Sequence, residues 1–309
     1  MKESSTSGRK ILIAWTSMLA IGLFWGGTIP LSKVAVSSGH QPFGLIFWQL
    51  VISVLVLGVV LVHRRWRPRL NGELLIYFLI IAVCGTLLPN GTSYLAQQHV
   101  PAGVMAIAIA TVPMFALVLA LGLRIEKFSW TRVSGVLIAF IAMVIIAAPE
   151  SSLPDPEKAI FVLVALIAPL FYGAESNYLA IHKPEGVDPV STLFMASILG
   201  IFIALPVTFA TGQWIDPSAP WQAPEYALIG SSVIHAITYC AFIWLVGYGG
   251  PVFSVQTAYP VTLSGVFLSV LFLGESYSGW IWAALVLVII GLVLVQPKLE
   301  DLVEREGNV

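Results

Sequence analysis

The chain has 309 residues, of which 58% are hydrophobic and only 10% charged, with a net charge of −1 and a mean hydropathy of +0.92. A soluble domain carries roughly 25% charged residues, so this stock cannot cover a water-facing surface, and its near-zero charge excludes a basic nucleic-acid binder. What remains is an all-α integral membrane protein, with polar segments too short to fold as a separate soluble domain. Cys84 and Cys240 both fall in apolar runs and read as small packing residues.

A helix needs about 20 apolar residues to cross the hydrocarbon core. Runs of that kind occur at 11–36, 43–62, 73–94, 101–123, 129–148, 158–182, 189–211, 224–247, 250–273 and 277–296, predicting ten transmembrane helices. The first run exceeds the roughly 7–15 residues of a signal-peptide core and is followed by further spans, so it reads as uncleaved. Short tails at 1–10 and 297–309 bracket the spans, and a Pro-, Ser- and acid-rich linker at 149–157 divides them. Trp214 and Trp221 mark the 211–224 connection as interfacial. Lys2, Arg9, Lys10, Arg64, Arg65, Arg67, Arg69, Arg124, Lys127, Arg132, Lys183, Lys298 and Arg305 fall on one side, against Lys33 and Lys158 on the other. Positive charge resists translocation, so both termini are expected in the cytoplasm, with a bacterial inner membrane as the host.

The chain also repeats itself. Leu23-Phe24-Trp25-Gly26 returns as Leu170-Phe171-Tyr172-Gly173, and the same shift of 147 matches Gly39 with Gly186, Pro42 with Pro189, Gly103 with Gly250 and Pro113 with Pro260. Two halves are expected, 11–148 and 158–296, each of five spans. An odd number of crossings sends the second half into the membrane from the opposite side, which makes an inverted repeat suited to alternating access. Pro30, Pro89, Pro113, Pro169, Pro206 and Pro260 lie within spans and predict kinks, with Pro113 and Pro260 a matched pair.

These residues resemble a known family. Phe24-Trp25-Gly26, the Ala102-Gly103…Pro113 run followed by Glu126, and the Gly250…Pro260 run followed by Gly274-Glu275 are similar to the drug/metabolite transporter superfamily, in its EamA-like ten-helix branch. The resemblance runs from about Ile11 to Gln296. It implies two EamA-like five-helix repeats around a central cavity, and secondary transport, often export, of amino acids or other small metabolites. Arg124-Ile125-Glu126 stands where the family usually has Gly-Glu, a departure that loosens the motif in the first half.

Polar groups deep in a span are costly unless partnered, so they mark function. Glu175 is the clearest, lying inside the repeated motif of span 6, with Tyr172 on the same helical face. The equivalent face of span 1 carries Trp25, Thr28 and Ser32. His235 has Ser232 and Tyr239 on its face, Gln256 and Tyr259 precede Pro260, and Asn90 and Tyr94 end span 3. The expected substrate site is therefore Trp25, Thr28, Asn90, Tyr94, Tyr172, Glu175, His235, Tyr239, Gln256 and Tyr259. Its aromatic faces and single carboxylate suit a cation or zwitterion with an apolar part. Asn177 points away from Glu175. Gln97, Gln98 and His99 fall at the outer interface, Lys33 is placed to snorkel, and Glu126 and Glu275 sit near helix ends, where capping or packing competes with gating.

No Walker-A pattern is present, so energy would come from the substrate's gradient, exchange or protons. Asp155, Asp188, Asp216 and Asp301 lie in connections or the tail, and no His-Glu-x-x-His or Gly-x-Ser-x-Gly run occurs, which argues against an intramembrane enzyme. A channel would carry polar stripes along whole helices; here polarity clusters near the centre. The expectation is a secondary exporter of amino acids or related amines, with an importer as the alternative. It would need no cofactor or metal, and would act in the bilayer as a monomer or weak dimer.

Overall fold

The computed structural model describes residues 2–37, 39–67, 71–147, 156–182, 184, 186–218 and 220–295. Among them, nine helices are long and apolar enough to cross a membrane: α1 (Lys10–Ser37), α2 (Pro42–His63), α3 (Gly72–Gln97), α4 (Ala102–Gly122), α5 (Trp130–Ala147), α6 (Glu157–Ile181), α7 (Pro189–Ala210), α8 (Ala223–Gly249) and α9 (Val255–Leu273). A tenth apolar helix, α10 (Gly279–Val295), has 17 residues, a rise of about 25 Å. Each expected span thus has its helix, and helix also continues upstream of α1 to Lys2, through most of the expected tail. The linker expected at 149–157 lies outside the described residues as far as 155. So do the tail from 297 and the charges Arg69, Lys183, Lys298 and Arg305.

The prolines act as breaks more than as bends. Helix is interrupted at Gly27 in α1, at Ala110–Thr111 in α4 and at Leu166 in α6. It passes through a π-helical turn at Val83–Leu87 in α3, and α9 opens with a 3-10 turn at Val255–Thr257. In every case a proline is the second or third residue of the fresh segment: Pro30, Pro89, Pro113, Pro169 and Pro260. A proline lacks an N–H and clashes with the carbonyl four residues back, and both faults vanish in a first turn. Pro206 alone of the six stays inside a continuous helix.

Lipid gives helices no hydrophobic reward for meeting, so close contact relies on small residues. On α1, a Cβ at Gly22 would strike the Pro260 ring and one at Gly26 would strike Ser264 Oγ, both on α9. Gly173, the repeat counterpart of Gly26, meets the backbone of Ala116 on α4 in the same way. Gly135 of α5 and Gly291 of α10 press on each other's carbonyls. Three pairs of repeat-equivalent helices pack together: α2 with α7, α4 with α9 and α5 with α10. Large apolar residues such as Phe24, Val59, Phe202 and Phe272 cover the outside, as a lipid-facing surface requires.

The helix ends are tied by polar contacts. Glu275 accepts from the backbone N–H groups of Ala102 (2.9 Å) and Gly103 (3.2 Å), so a carboxylate from the α9–α10 connection caps α4. Tyr277 donates to the same carboxylate at 2.6 Å, and its phenol is pushed up by burial and by that neighbouring charge. Glu126 instead pairs with Arg132 at 3.0 Å, and Arg132 Nε donates to Val295 O on α10. Both glutamates thus take capping or packing roles. Lys33 does not snorkel: its ammonium donates to Gln97 O (2.5 Å) and Val100 O (2.9 Å). Those carbonyls lie where α3 ends and lack helical partners, so they attract a cation.

Candidate functional site

Six helices, α1, α3, α4, α6, α8 and α9, surround a cavity of about 930 Å³ of empty space, part of it continuous with the outside; α2 adds Gln49. Eight of the ten expected site residues line it: Trp25, Thr28, Asn90, Tyr94, Tyr172, Glu175, His235 and Tyr239. The other two, Gln256 and Tyr259, face a second, smaller cavity with Glu126, Arg132 and Asn177. Helical spacing fits the difference, since Tyr259 lies about 200° around α9 from Val261, which lines the central cavity. Ser176 and Val255 line both cavities and form part of the wall between them.

The polar lining falls into two layers. In the first, Tyr172 donates to Asn90 Oδ1 (2.8 Å), Asn90 Nδ2 donates to Gln49 Oε1 (3.0 Å), and Tyr94 donates to the same oxygen (3.1 Å). This chain joins α6, α3 and α2 through buried groups, each with a partner. Gln49 is absent from the expected site, although its signal was present: an amide in the middle of an otherwise apolar span.

The second layer holds the carboxylate. Glu175 is 2% exposed and lies six residues before the end of α6, about 9 Å along the axis. Tyr239 of α8 donates its hydroxyl to Glu175 Oε1. The π-helical turn of α3 supplies the room, because a Cβ at Gly85 would collide with both the Tyr239 hydroxyl and that oxygen. A π-turn is an unusual local choice that often accompanies a functional site. Trp25 stacks on Tyr239 (5.9 Å, 30° between planes) and meets His235 and Phe242 edge-on at 5.8 and 5.6 Å.

Two polar atoms on this lining have no partner: His235 Nε2 and Gln97 Oε1, on residues 6% and 4% exposed. Gln97 therefore does not sit at a watery interface. α3 runs three residues past its expected end and turns that side chain inward. Asn177 does face away, donating to Ala116 O at 3.0 Å. No group of three or more His, Cys, Asp or Glu placed to hold a metal lies among the described residues.

A bundle of apolar helices that closes a cavity of aromatic and polar side chains around a buried carboxylate, with no nucleotide site in its sequence, has the form of a secondary membrane transporter. The particular family follows from comparison. The chain belongs to the EamA-like transporter family, which it matches twice, at residues 12–148 and 159–296. It is thus a non-ATP, small-molecule transporter of the drug/metabolite type and not an enzyme. It is 26% identical over 297 residues to the "Uncharacterized inner membrane transporter YedA" of Escherichia coli strain K12, covering 93% of this chain and 92% of that one. It is 24% identical to the "Uncharacterized transporter YvbV" of Bacillus subtilis strain 168, over 96% and 94% of the two chains. The "WAT1-related protein At1g43650" of Arabidopsis thaliana is 22% identical over 90% of this chain and 89% of its own. One solved crystal structure superposes with a TM-score of 0.63 at 15% identity, covering 93% of this chain and 97% of that one, which shows a shared fold.

Proposed function

We propose that the protein is an alternating-access exporter of amino acids or related amine and zwitterionic metabolites, with Glu175 as its central binding group. The observation that carries this reading is the Glu175–Tyr239 pair, contributed by α6 and α8 and set against Trp25 of α1 in one buried cavity. A carboxylate there stabilises a substrate ammonium, and the rings beside it offer cation–π surface.

Two arguments support the alternating-access part. Each family-matched half holds five helices, an odd number, which supports halves that run in opposite directions across the membrane as an inverted repeat. The packing of α2 on α7, α4 on α9 and α5 on α10 is what a twofold relation between the halves would give. The excess of Lys and Arg on one side supports cytoplasmic termini, and the similarity to the inner membrane transporter YedA supports a bacterial inner membrane. Since one chain lines the whole cavity, a monomer suffices for transport, with any dimer weak and dispensable. Protons are the coupling ion in this reading, because Glu175 can hold either a proton or an ammonium but not both.

Counterflow in liposomes tests the proposal. Labelled amino acid or amine outside should exchange against an unlabelled pool inside, and Glu175→Gln should abolish or uncouple that exchange while the protein still inserts and folds. Wild-type flux with wild-type pH dependence in the mutant rules the assignment out. An importer in the same fold would show the same exchange but would accumulate substrate when a proton gradient is imposed from outside.

A further inference from the structure

The central cavity offers a carboxylate without a Lys or Arg to match it. Glu175 is the sole carboxylate among its described lining residues, and no Lys or Arg is among them. Lys33 follows the lining residue Ser32 on α1, yet it gives its ammonium to Gln97 O and Val100 O. A zwitterion entering this space would find an anionic partner for its ammonium and no Lys or Arg counter-charge for its carboxylate. That second charge would then sit desolvated in a cavity already holding a carboxylate, and both effects penalise it.

The unpartnered atoms point the same way. Gln97 Oε1 only accepts hydrogen bonds, and His235 Nε2 accepts in one of its two neutral tautomers. Together with Glu175 they form a set of buried acceptors distributed along α3, α6 and α8. Leaving such groups unmet costs stability, and a donor-rich ligand would remove that cost. Among the uncharged lining, Trp25, Ile29, Met105, Ile109, Val112, Phe242 and Val261 offer aromatic or aliphatic surface, interspersed with Ser, Thr and Tyr hydroxyls.

We infer that the substrate is an organic amine with an aromatic or apolar body and no carboxylate. Its ammonium lies between Glu175 and the Trp25 face, and its further N–H or O–H donors meet Gln97 and His235. This rests on the transporter reading above and narrows its substrate class.

The test uses molecules that differ by one carboxylate: tryptamine against tryptophan and tyramine against tyrosine. The full chain is purified for thermal-shift binding and reconstituted for counterflow, with protein-free liposomes as the background. The amines should raise Tm and exchange across the membrane, while the amino acids bind at least about tenfold more weakly, because their carboxylate is desolvated without a counter-charge. Gln97→Leu and His235→Leu should each weaken amine binding about fivefold or more without lowering the Tm of the empty protein. His235→Gln, which keeps a polar tip, should recover part of that loss. Equal or tighter binding of the amino acids overturns the inference and leaves the transporter reading standing. Exchange of neither amine nor amino acid overturns the inference. If a broader panel of neutral and anionic metabolites also shows no trans-acceleration, the transporter reading falls with it.

Discussion

The two polar layers of the cavity are close in space and opposite in character. In the layer of Gln49, Asn90, Tyr94 and Tyr172, the protein's own side chains answer one another across three helices. In the layer of Glu175, Tyr239, His235 and Trp25, one hydrogen bond is made, a ring nitrogen is left without a partner and a glycine is spent on clearance. A satisfied network fixes the relative positions of helices, because breaking it orphans buried groups. An incompletely satisfied one retains binding capacity for something else. The first layer has the character of architecture, and in the proposed function the second is where a ligand would complete the hydrogen bonding.

Substitutions can break or sharpen this contrast. Gly85→Ala should have the largest effect. Its Cβ would push the π-turn off Glu175 and Tyr239, costing about 1–3 kcal/mol of packing strain and eliminating counterflow; Tm and flux on the same preparation would show both losses. Retained transport would mean that the clearance is incidental. Asn90→Leu comes next, acting on the satisfied layer. It strands the Tyr172 hydroxyl and removes a donor from Gln49 Oε1, so stability should fall by about 1–3 kcal/mol, and a double-mutant cycle with Tyr172→Phe should show coupling. Glu275→Ala removes the cap on α4 from a residue outside the cavity lining. It should lower stability by about 0.5–2 kcal/mol and leave substrate affinity unchanged in a binding titration. His235→Leu should cost least in stability, within about 0.5 kcal/mol, because no hydrogen bond of its Nε2 is lost. A large fall in Tm for that variant would place His235 in the architectural layer and erase the distinction.

Much of this arrangement was legible in the sequence because a membrane makes polarity conspicuous. Glu175, Asn90, His235 and the aromatic positions stand out against apolar runs, and helical spacing places Tyr172 beside Glu175 and Trp25 beside Thr28. The repeat of Phe24-Trp25-Gly26 as Phe171-Tyr172-Gly173 is legible for a related reason, since both glycines serve close helix contacts, Gly26 on α9 and Gly173 on α4. What escaped depends on relations between helices or on local geometry. Gln49 matters through its partners on α3, which one span cannot reveal. Gln97 was assigned to an interface because α3 was ended at 94. Gln256 and Tyr259 face a second cavity beside α4, α6 and α10, a placement that depends on how the helices pack and that the spacing within one span does not give. The π-turn at Val83–Leu87 leaves no mark beyond Pro89, and Pro89 alone predicts only a kink.

The glycine contact between α5 and α10 bears on how the molecule is made. The ribosome delivers α5 well before α10, yet Gly135 and Arg132 of α5 find their packing and hydrogen-bonding partners in Gly291 and Val295 of the last helix. Likewise, α4 waits for Glu275 to cap its first turn. The first half therefore leaves the translocon with its glycine grooves open and one helix end uncapped. It is completed only when Glu275 and α10 arrive. A chain cut before α10 should insert but stay immature and prone to degradation, which makes the last span a quality checkpoint for the whole protein.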